Sequence, residues 1–218
     1  ESSRQAFHNT FYNEEQGTYG KGGGNIFALR IGVPEDRYEK VIQSLRADIR
    51  ANDGHLDTGI FGTQFFFETL SEHGMHDLAY AAMNKRTHPS YGRWIELGST
   101  TTREKWDEGG SHNHPMFGGG LVWFYRKLAG MQADLDDPGY RHMIFRPQPV
   151  NDMEFAHYEN LTPYGQAVIR WEQGAGDFRM KVKVPVGSHA TVHVPADEPE
   201  KVMESGMKAA DAAGVRLI

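Results

Sequence analysis

The sequence contains no cysteine among its 218 residues. Disulfide bonds, thiolate zinc sites and cysteine nucleophiles are therefore all excluded. No apolar run approaches the roughly 18–20 residues that a membrane-spanning helix needs, so we expect no membrane span. The formal net charge is −6, and no basic stripe is present to meet phosphate groups. Nucleic acid is therefore not expected as a partner.

Several catalytic motifs are also missing. The sequence has no GxSxG motif of a serine hydrolase and no HExxH motif of a metalloprotease. The glycine run at 22–25 lacks the GK[ST] ending of a phosphate-binding loop. We therefore expect no cofactor. The lack of cysteine is compatible with a bacterial periplasmic or secreted protein and also with a cytoplasmic one, and the Glu1 start is typical of an internal cut.

Amphipathic spacing predicts helices in the first two-thirds of the chain. Within 38–51, Val41, Leu45 and Ile49 recur every four residues between charged side chains, as on one face of a helix. Similar segments, ended by glycine or by a proline turn, predict three further helices at 62–73, 77–85 and 120–129. Short helices joined by loops rich in glycine and histidine favour stacked helical hairpins.

The pattern changes near Pro138 and Gly139. Within 178–184, apolar and basic residues alternate, which places them on opposite faces of a strand. Three similar runs, separated by glycine and proline, predict strands at 142–145, 165–172 and 190–194. We therefore expect helical hairpins over residues 1–140 and an antiparallel β-sandwich over residues 141–218, an α + β architecture with two domains.

Both predicted domains look incomplete. A sandwich of this kind needs about seven strands, and four to six are recognisable in this sequence. The residues after 204 have no clear period and fit either a final strand or a loose tail. The helices also resemble part of a larger array. We therefore expect a fragment of a longer protein.

The most unusual stretch runs from Gly98 to Gly120 and reads GSTTTREKWDEGGSHNHPMFGGG. It is too rich in glycine for a helix interior and too polar for a buried strand. It also carries carboxylates, imidazoles and an indole, which can move protons and bind polyols. Glu104, two residues from Trp106, is a candidate general base; the alternative is a surface carboxylate paired with a neighbouring cation. We interpret the stretch as half of an active site.

Two histidines of this stretch, His112 and His114, flank Asn113 at alternate positions. On a strand they would face the same way and could bind a metal ion. Zinc sites usually need a third or fourth ligand, and no such spacing is present, so we expect no metal. A clamp on substrate hydroxyls and a hydrogen-bonded structural histidine remain open alternatives.

Three candidates lie before this stretch. The loop that begins at His55 leads into a predicted helix, and Asp57 or Thr58 is either the N-cap of that helix or part of a second polar loop. Trp94 is either a platform for a sugar ring or a core residue. The run 65–67, three phenylalanines, is expected in the core.

Seven blocks of the sequence resemble, in order, the α-L-rhamnosidases of glycoside hydrolase family 78. The blocks are GHLDTGIFGT (54–63), SEHGMHDLAY (71–80), HPSYGRWIELGSTT (88–101), EKWD (104–107), SHNHPMFG (111–118), LAGMQADLDDPGYRHMIFRPQP (128–149) and LTPYGQAVIRWE (161–172). The resemblance covers residues 5–195.

The resemblance implies the C-terminal part of an (α/α)6 catalytic barrel followed by a β-sandwich. It also implies hydrolysis of terminal α-L-rhamnosides with inversion, which uses one carboxyl as general acid and another as general base. Glu104 occupies the base position of the family's TT-x-W-E-x-W block, Trp106 closes that block, and His114 matches a rhamnose-contacting histidine. Asn113 and Trp94 are further candidate substrate-binding residues.

Nothing in the sequence matches the family's general acid. The implied partners are therefore a rhamnose-containing oligosaccharide or glycoside and the N-terminal remainder of the same polypeptide, which would supply the acid.

Arg103 departs from the family pattern, which usually has tryptophan before the base. A guanidinium beside Glu104 would favour the ionised carboxylate and could bind an anionic sugar bidentately. We therefore consider a substrate that carries a uronic acid next to rhamnose. Two alternatives to the hydrolase remain: a rhamnosidase-related lyase that cleaves rhamnose–glucuronate linkages, and a non-catalytic carbohydrate-binding or structural module.

Overall fold

The computed structural model describes residues 2–21, 23–150, 152–174 and 176–216. The chain divides into two compact units, Glu1–Phe124 and Tyr125–Ile218. This division lies before the change of sequence pattern near Pro138, and a strand at Met131–Ala133 already belongs to the second unit. The domain limits 1–140 and 141–218 stay a prediction.

The described residues of the first unit form seven α-helices. They are α1 (Ser3–Phe11), α2 (Gly24–Ile31), α3 (Glu35–Ala51), α4 (Ile60–Glu72), α5 (His76–Met83), α6 (Tyr91–Glu96) and α7 (Gly118–Trp123). A 3-10 helix (Pro115–Phe117) precedes α7, and a π-helical segment (Phe124–Ala129) follows it. The four predicted helices are thus present, with shifted ends and with the last one part α and part π.

Helix α4 lies at the centre of the first unit, where it packs against α2, α5 and α7. Phe66, Phe67 and Leu70 are at most 1% exposed, which confirms the core prediction for the first two, while Phe65 is half-buried. The indole N–H of Trp123, on α7, donates to Ser71 Oγ at 2.7 Å. No helix in the described part of the chain is long and apolar enough to cross a membrane.

Of the two alternatives for Asp57 and Thr58, the N-cap of α4 is not observed. The N-cap residue is Gly59, and no side chain caps the helix. Thr58 instead places its hydroxyl 2.8 Å from the hydroxyl of Thr63 inside the helix, and its carbonyl accepts from Thr63 at 3.1 Å. Thr58 is buried. Its contacts with Thr63 therefore lie in the core and fix the segment that leads into α4.

Eight strands are present in the described residues of the second unit: β1 (Met131–Ala133), β2 (His142–Phe145), β3 (Phe155–Thr162), β4 (Gly165–Gly174), β5 (Asp177–Lys183), β6 (His189–Val192), β7 (Met203–Glu204) and β8 (Met207–Lys208). They form two three-stranded sheets, β1-β2-β6 and β3-β4-β5, and a small hairpin of β7 and β8. All pairings are antiparallel except the parallel pair β2–β6.

Among the described residues, the two sheets together hold six strands, within the expected four to six, and the hairpin of β7 and β8 adds two short ones. Strands β1 and β3 were not recognisable from alternation. The predicted alternation does hold in β4, where Ala167, Ile169 and Trp171 are fully buried. Ala167 and Ile169 join a core with residues of the other sheet, including Met143 and Phe145. In the tail, residues 207–208 form β8, whereas residues 217 and 218 lie outside the described part.

Candidate active site

The candidate site lies in the loop of residues 97–114, called the site loop below, which connects α6 to the 3-10 helix before α7. The loop has no regular strand, yet its two sides are paired. Glu104 N–H donates to Ser111 O and His114 N–H donates to Thr102 O, both at 2.9 Å. Thr102 Oγ1 donates to His114 O at 2.5 Å. These bonds fold the loop into a hairpin-like turn, with Glu104 in its first half and His114 in its second half.

Glu104 as a whole residue is half-buried. Its Oε2 atom accepts a hydrogen bond from the backbone N–H of Ser111 at 2.8 Å. No hydrogen bond from the described residues reaches Oε1. One oxygen is thus held by the backbone, and the other is available to a polar ligand.

Trp106 connects the site loop to the helical core. Its Nε1–H donates to the carbonyl of Thr58 at 2.8 Å. Its ring stacks on Trp94 with centroids 4.4 Å apart and contacts Phe117 at 4.2 Å. Trp106 is half-buried, so part of its ring is open to a ligand.

Trp94 is only 2% exposed, a position that supports Trp106 from behind rather than contacting a ligand. Of the two alternatives for Trp94, a sugar platform or a core residue, this burial agrees with the core residue.

Tyr91 is a member of this aromatic cluster that the sequence did not single out, although it lies in the YGRW segment around Trp94. Its hydroxyl donates to Phe117 O at 2.5 Å, and its ring meets both Trp94 and Trp106 edge-on. Burial raises the pKa of the Tyr91 hydroxyl, so the group remains a hydrogen-bond donor. The rings of Tyr91, Trp94 and Phe117 therefore pack against Trp106 and support the site loop. These three residues are called the site floor below.

The loop around Thr58 and the loop before α2 meet the site loop at the same end of the unit. Trp106 is bonded to Thr58, and a Cβ added to Gly23 would lie 3.5 Å from the methyl group of Thr58. Asp57, next to Thr58, is exposed. Three loops thus converge around Thr58, which agrees with the alternative that residues 55–58 form a second polar loop.

The two histidines and Asn113 have different surroundings. His114 is half-buried, and its Nδ1 atom is buried without a hydrogen-bond partner in the described residues. His112 and Asn113 are exposed. In the residues that the structure describes, no group of three or more metal-ligating side chains comes together.

The guanidinium of Arg103 makes its described contacts with residues other than Glu104. Its Nε donates to Ser99 Oγ at 2.9 Å, and its Nη1 donates to Glu108 O at 3.4 Å. The same Nη1 lies 3.3 Å from His112 Nε2. Within the described ranges Glu104 forms no ion pair with Arg103 or Lys105. The guanidinium is therefore held by Ser99, Glu108 and His112.

The site loop of the helical unit brings a carboxylate, an indole and an imidazole together, groups that fit acid–base chemistry on a sugar. The family comparison agrees. Residues 1–128 match the model of the bacterial alpha-L-rhamnosidase 6 hairpin glycosidase domain, and residues 130–209 match that of the bacterial alpha-L-rhamnosidase C-terminal domain. The chain belongs to the bacterial α-L-rhamnosidase family.

Individual relatives carry the same name. The chain is 34% identical over 184 residues to an alpha-L-rhamnosidase of Streptomyces avermitilis, covering 79% of this chain and 18% of that protein. It is 30% identical over 219 residues to one of Formosa agariphila, covering 94% of this chain and 23% of that protein.

Solved structures are similar over nearly the whole chain. The alpha-L-rhamnosidase from Dictyoglumus thermophilum matches 97% of this chain with a TM-score of 0.84 and 34% identity. The Streptomyces avermitilis enzyme, solved in complex with L-rhamnose, matches 90% with a TM-score of 0.81 and 32% identity. The chain covers 25% and 20% of those two chains. It therefore spans no more than a quarter of the relatives it matches.

Proposed function

We propose that this chain forms the C-terminal part of an inverting α-L-rhamnosidase, in which Glu104 is the general base. The observation that carries the proposal is the geometry of the site loop in a member of this family. A carboxylate with one oxygen held by a backbone amide and the other available, on the half-buried residue Glu104, lies in the same paired loop as Trp106 and His114.

Each of these groups has a separate role in the proposed reaction. Oε1 of Glu104 accepts a proton from water while the water oxygen forms a bond to the anomeric carbon. The bond from that carbon to the aglycone oxygen breaks, and a general acid outside this chain donates a proton to the leaving oxygen. Trp106 forms an apolar wall for the sugar ring, and His114, with Asn113 beside it, binds sugar hydroxyls.

The reaction class is tested by the first product of the complete enzyme acting on an α-L-rhamnoside. Proton NMR at early times is expected to show β-L-rhamnose, the inverted anomer, and no unsaturated sugar. Release of the α-anomer would contradict the inverting mechanism. An unsaturated uronate absorbing in the ultraviolet would instead identify the lyase, and binding without any product would identify the carbohydrate-binding module.

We further propose that the substrate carries a carboxylate near the rhamnose and that Arg103 binds it. Three contacts hold the guanidinium in a half-buried position at the site loop. No described residue is bonded to its Nη2 atom, so a donor remains for an anionic sugar. The cation therefore acts on the substrate and not on Glu104.

The substitution Arg103→Ala tests this role, with Lys105→Ala as the control because Lys105 is an exposed cation of the same loop. Arg103→Ala should raise KM for uronate-containing rhamnosides far more than KM for neutral aryl rhamnosides, whereas Lys105→Ala should change neither. An equal loss on both substrate types would contradict the proposal.

A further inference from the structure

Glu104 contacts residues 110–111 closely, and the proposed reaction gives these two residues no role yet. Ser111 binds Glu104 twice: its carbonyl accepts from Glu104 N–H at 2.9 Å, and its own N–H donates to Glu104 Oε2 at 2.8 Å. The backbone and the side chain of Glu104 are therefore both held by a single residue. A backbone donor has no rotamers of its own, so it fixes the carboxylate more firmly than a long side chain would.

Gly110 makes this contact sterically possible. Its φ of 75° lies in the left-handed region that favours glycine. A Cβ at this position would stand 2.6 Å from Oε2 of Glu104, a distance that real Cβ atoms essentially never show, and 3.0 Å from its Cδ, which is a tight contact. Any side chain at residue 110 would therefore push the carboxylate away from the amide of Ser111.

A second left-handed residue turns the chain before Gly110. Glu108 has a φ of 71° although it is not glycine, and such strained residues persist where the surrounding structure holds them. Its side chain pairs with Arg93 at 3.3 Å, and its carbonyl accepts from Arg103. These contacts hold the turn that brings Ser111 back to Glu104.

We propose that Gly110 and the backbone amide of Ser111 form a clamp that positions Glu104, holding Oε2 so that Oε1 is the oxygen that accepts the proton from water. This inference rests on the proposed function of Glu104. Both are positioning residues, since they act through the carboxylate and not on the substrate. A misplacement of about 1 Å in a reacting group can cost on the order of 10²-fold in rate.

The test compares Gly110→Ala with Gly74→Ala in the complete enzyme. Gly74 follows α4 with a φ of 69°, and a Cβ added there would meet no atom within 4 Å. Both substitutions therefore impose left-handed backbone strain on alanine, but only the first meets Glu104. We expect similar melting temperatures for the two variants, a kcat about 10²-fold lower for Gly110→Ala with KM nearly unchanged, and an unchanged kcat for Gly74→Ala.

A double-mutant cycle separates positioning from a general structural role. In a Glu104→Gln background the base is already lost, so Gly110→Ala should lower kcat little further. The same factor in both backgrounds, or a normal kcat for Gly110→Ala alone, would overturn the clamp. Full turnover of Glu104→Gln would instead overturn the proposed function itself, so the two failures are distinguishable.

A crystal structure of the unaltered enzyme gives a readout that needs no variant. The clamp predicts a distance between Ser111 N and Glu104 Oε2 within hydrogen-bond range, about 2.7–3.2 Å. An amide turned away from the carboxylate would overturn the proposal even if Gly110→Ala failed to fold.

Discussion

The sheet β3-β4-β5 and the site loop are held together by different means. In the sheet, antiparallel registers join β3 to β4 and β4 to β5, and every second side chain of β4 from Ala167 to Trp171 lies in the core. In the site loop, the order comes from a few specific contacts: a threonine hydroxyl, a half-buried indole and a glycine that leaves room for a carboxylate. Many interchangeable contacts give stability, whereas a few specific ones give the position of one reacting group.

The largest expected effect of a single substitution is in the sheet. Trp171 is fully buried and its Nε1–H donates to Leu128 O at 2.9 Å. Trp171→Ala should lower the free energy of unfolding by about 3–5 kcal/mol, because it leaves a cavity and an unpaired carbonyl. Denaturant unfolding measures this, with Arg170→Ala on the exposed face of the same strand as the control. A similar loss in the control would contradict the account of the sheet.

Substitutions next to the site floor should change the free energy of unfolding less, and the space around the new side chain decides the sign of the change. A Cβ on Gly120 would stand 2.4 Å from the hydroxyl of Tyr91, whereas one on Gly118, in the same helix, would meet nothing within 4 Å. Gly120→Ala should destabilise the protein by about 1–3 kcal/mol. Gly118→Ala should be neutral or stabilising by up to about 1 kcal/mol, because alanine favours helix. Equal effects in thermal unfolding would contradict the packing of Tyr91.

Much of the fold could be predicted from the sequence. The long amphipathic helix α3 and the alternating strands β4 and β5 have periods that identify their buried faces. Helix α6 has only six residues and depends on a cap, in which Arg93 N–H donates to Ser90 Oγ at 3.0 Å. Such a short element has no period to recognise.

The site was predictable only in part. The resemblance to a family placed Glu104, Trp106 and His114 in one loop, and the structure describes them in one loop. Trp94 was left open between core and platform because a tryptophan suits either environment. The clamp on Glu104 was not predictable, since it depends on the left-handed backbone of Gly110 and on a pairing without strand periodicity.

The smallest expected effect is on the pH dependence of stability, and it comes from His193, which follows β6. Burial and the Arg146 cation lower the pKa of His193 from its usual value. Below a pH of about 6.5 the unfolded chain takes up the proton before the folded one. Stability should therefore fall as the pH drops below that value, and His193→Gln should reduce the fall. Melting temperatures between pH 5 and pH 8 measure it; an identical pH dependence in the variant would contradict this assignment.

The most direct test of the account is the turnover of Glu104→Gln in the complete enzyme beside Glu96→Gln, the same change at an exposed position on α6. Removal of the base should lower kcat on an aryl α-L-rhamnoside by about 10²–10⁴-fold at an unchanged melting temperature. Glu96→Gln should keep a kcat close to that of the unaltered enzyme, since its solvent-exposed pair with Arg86 contributes little. Full turnover of Glu104→Gln would contradict the account.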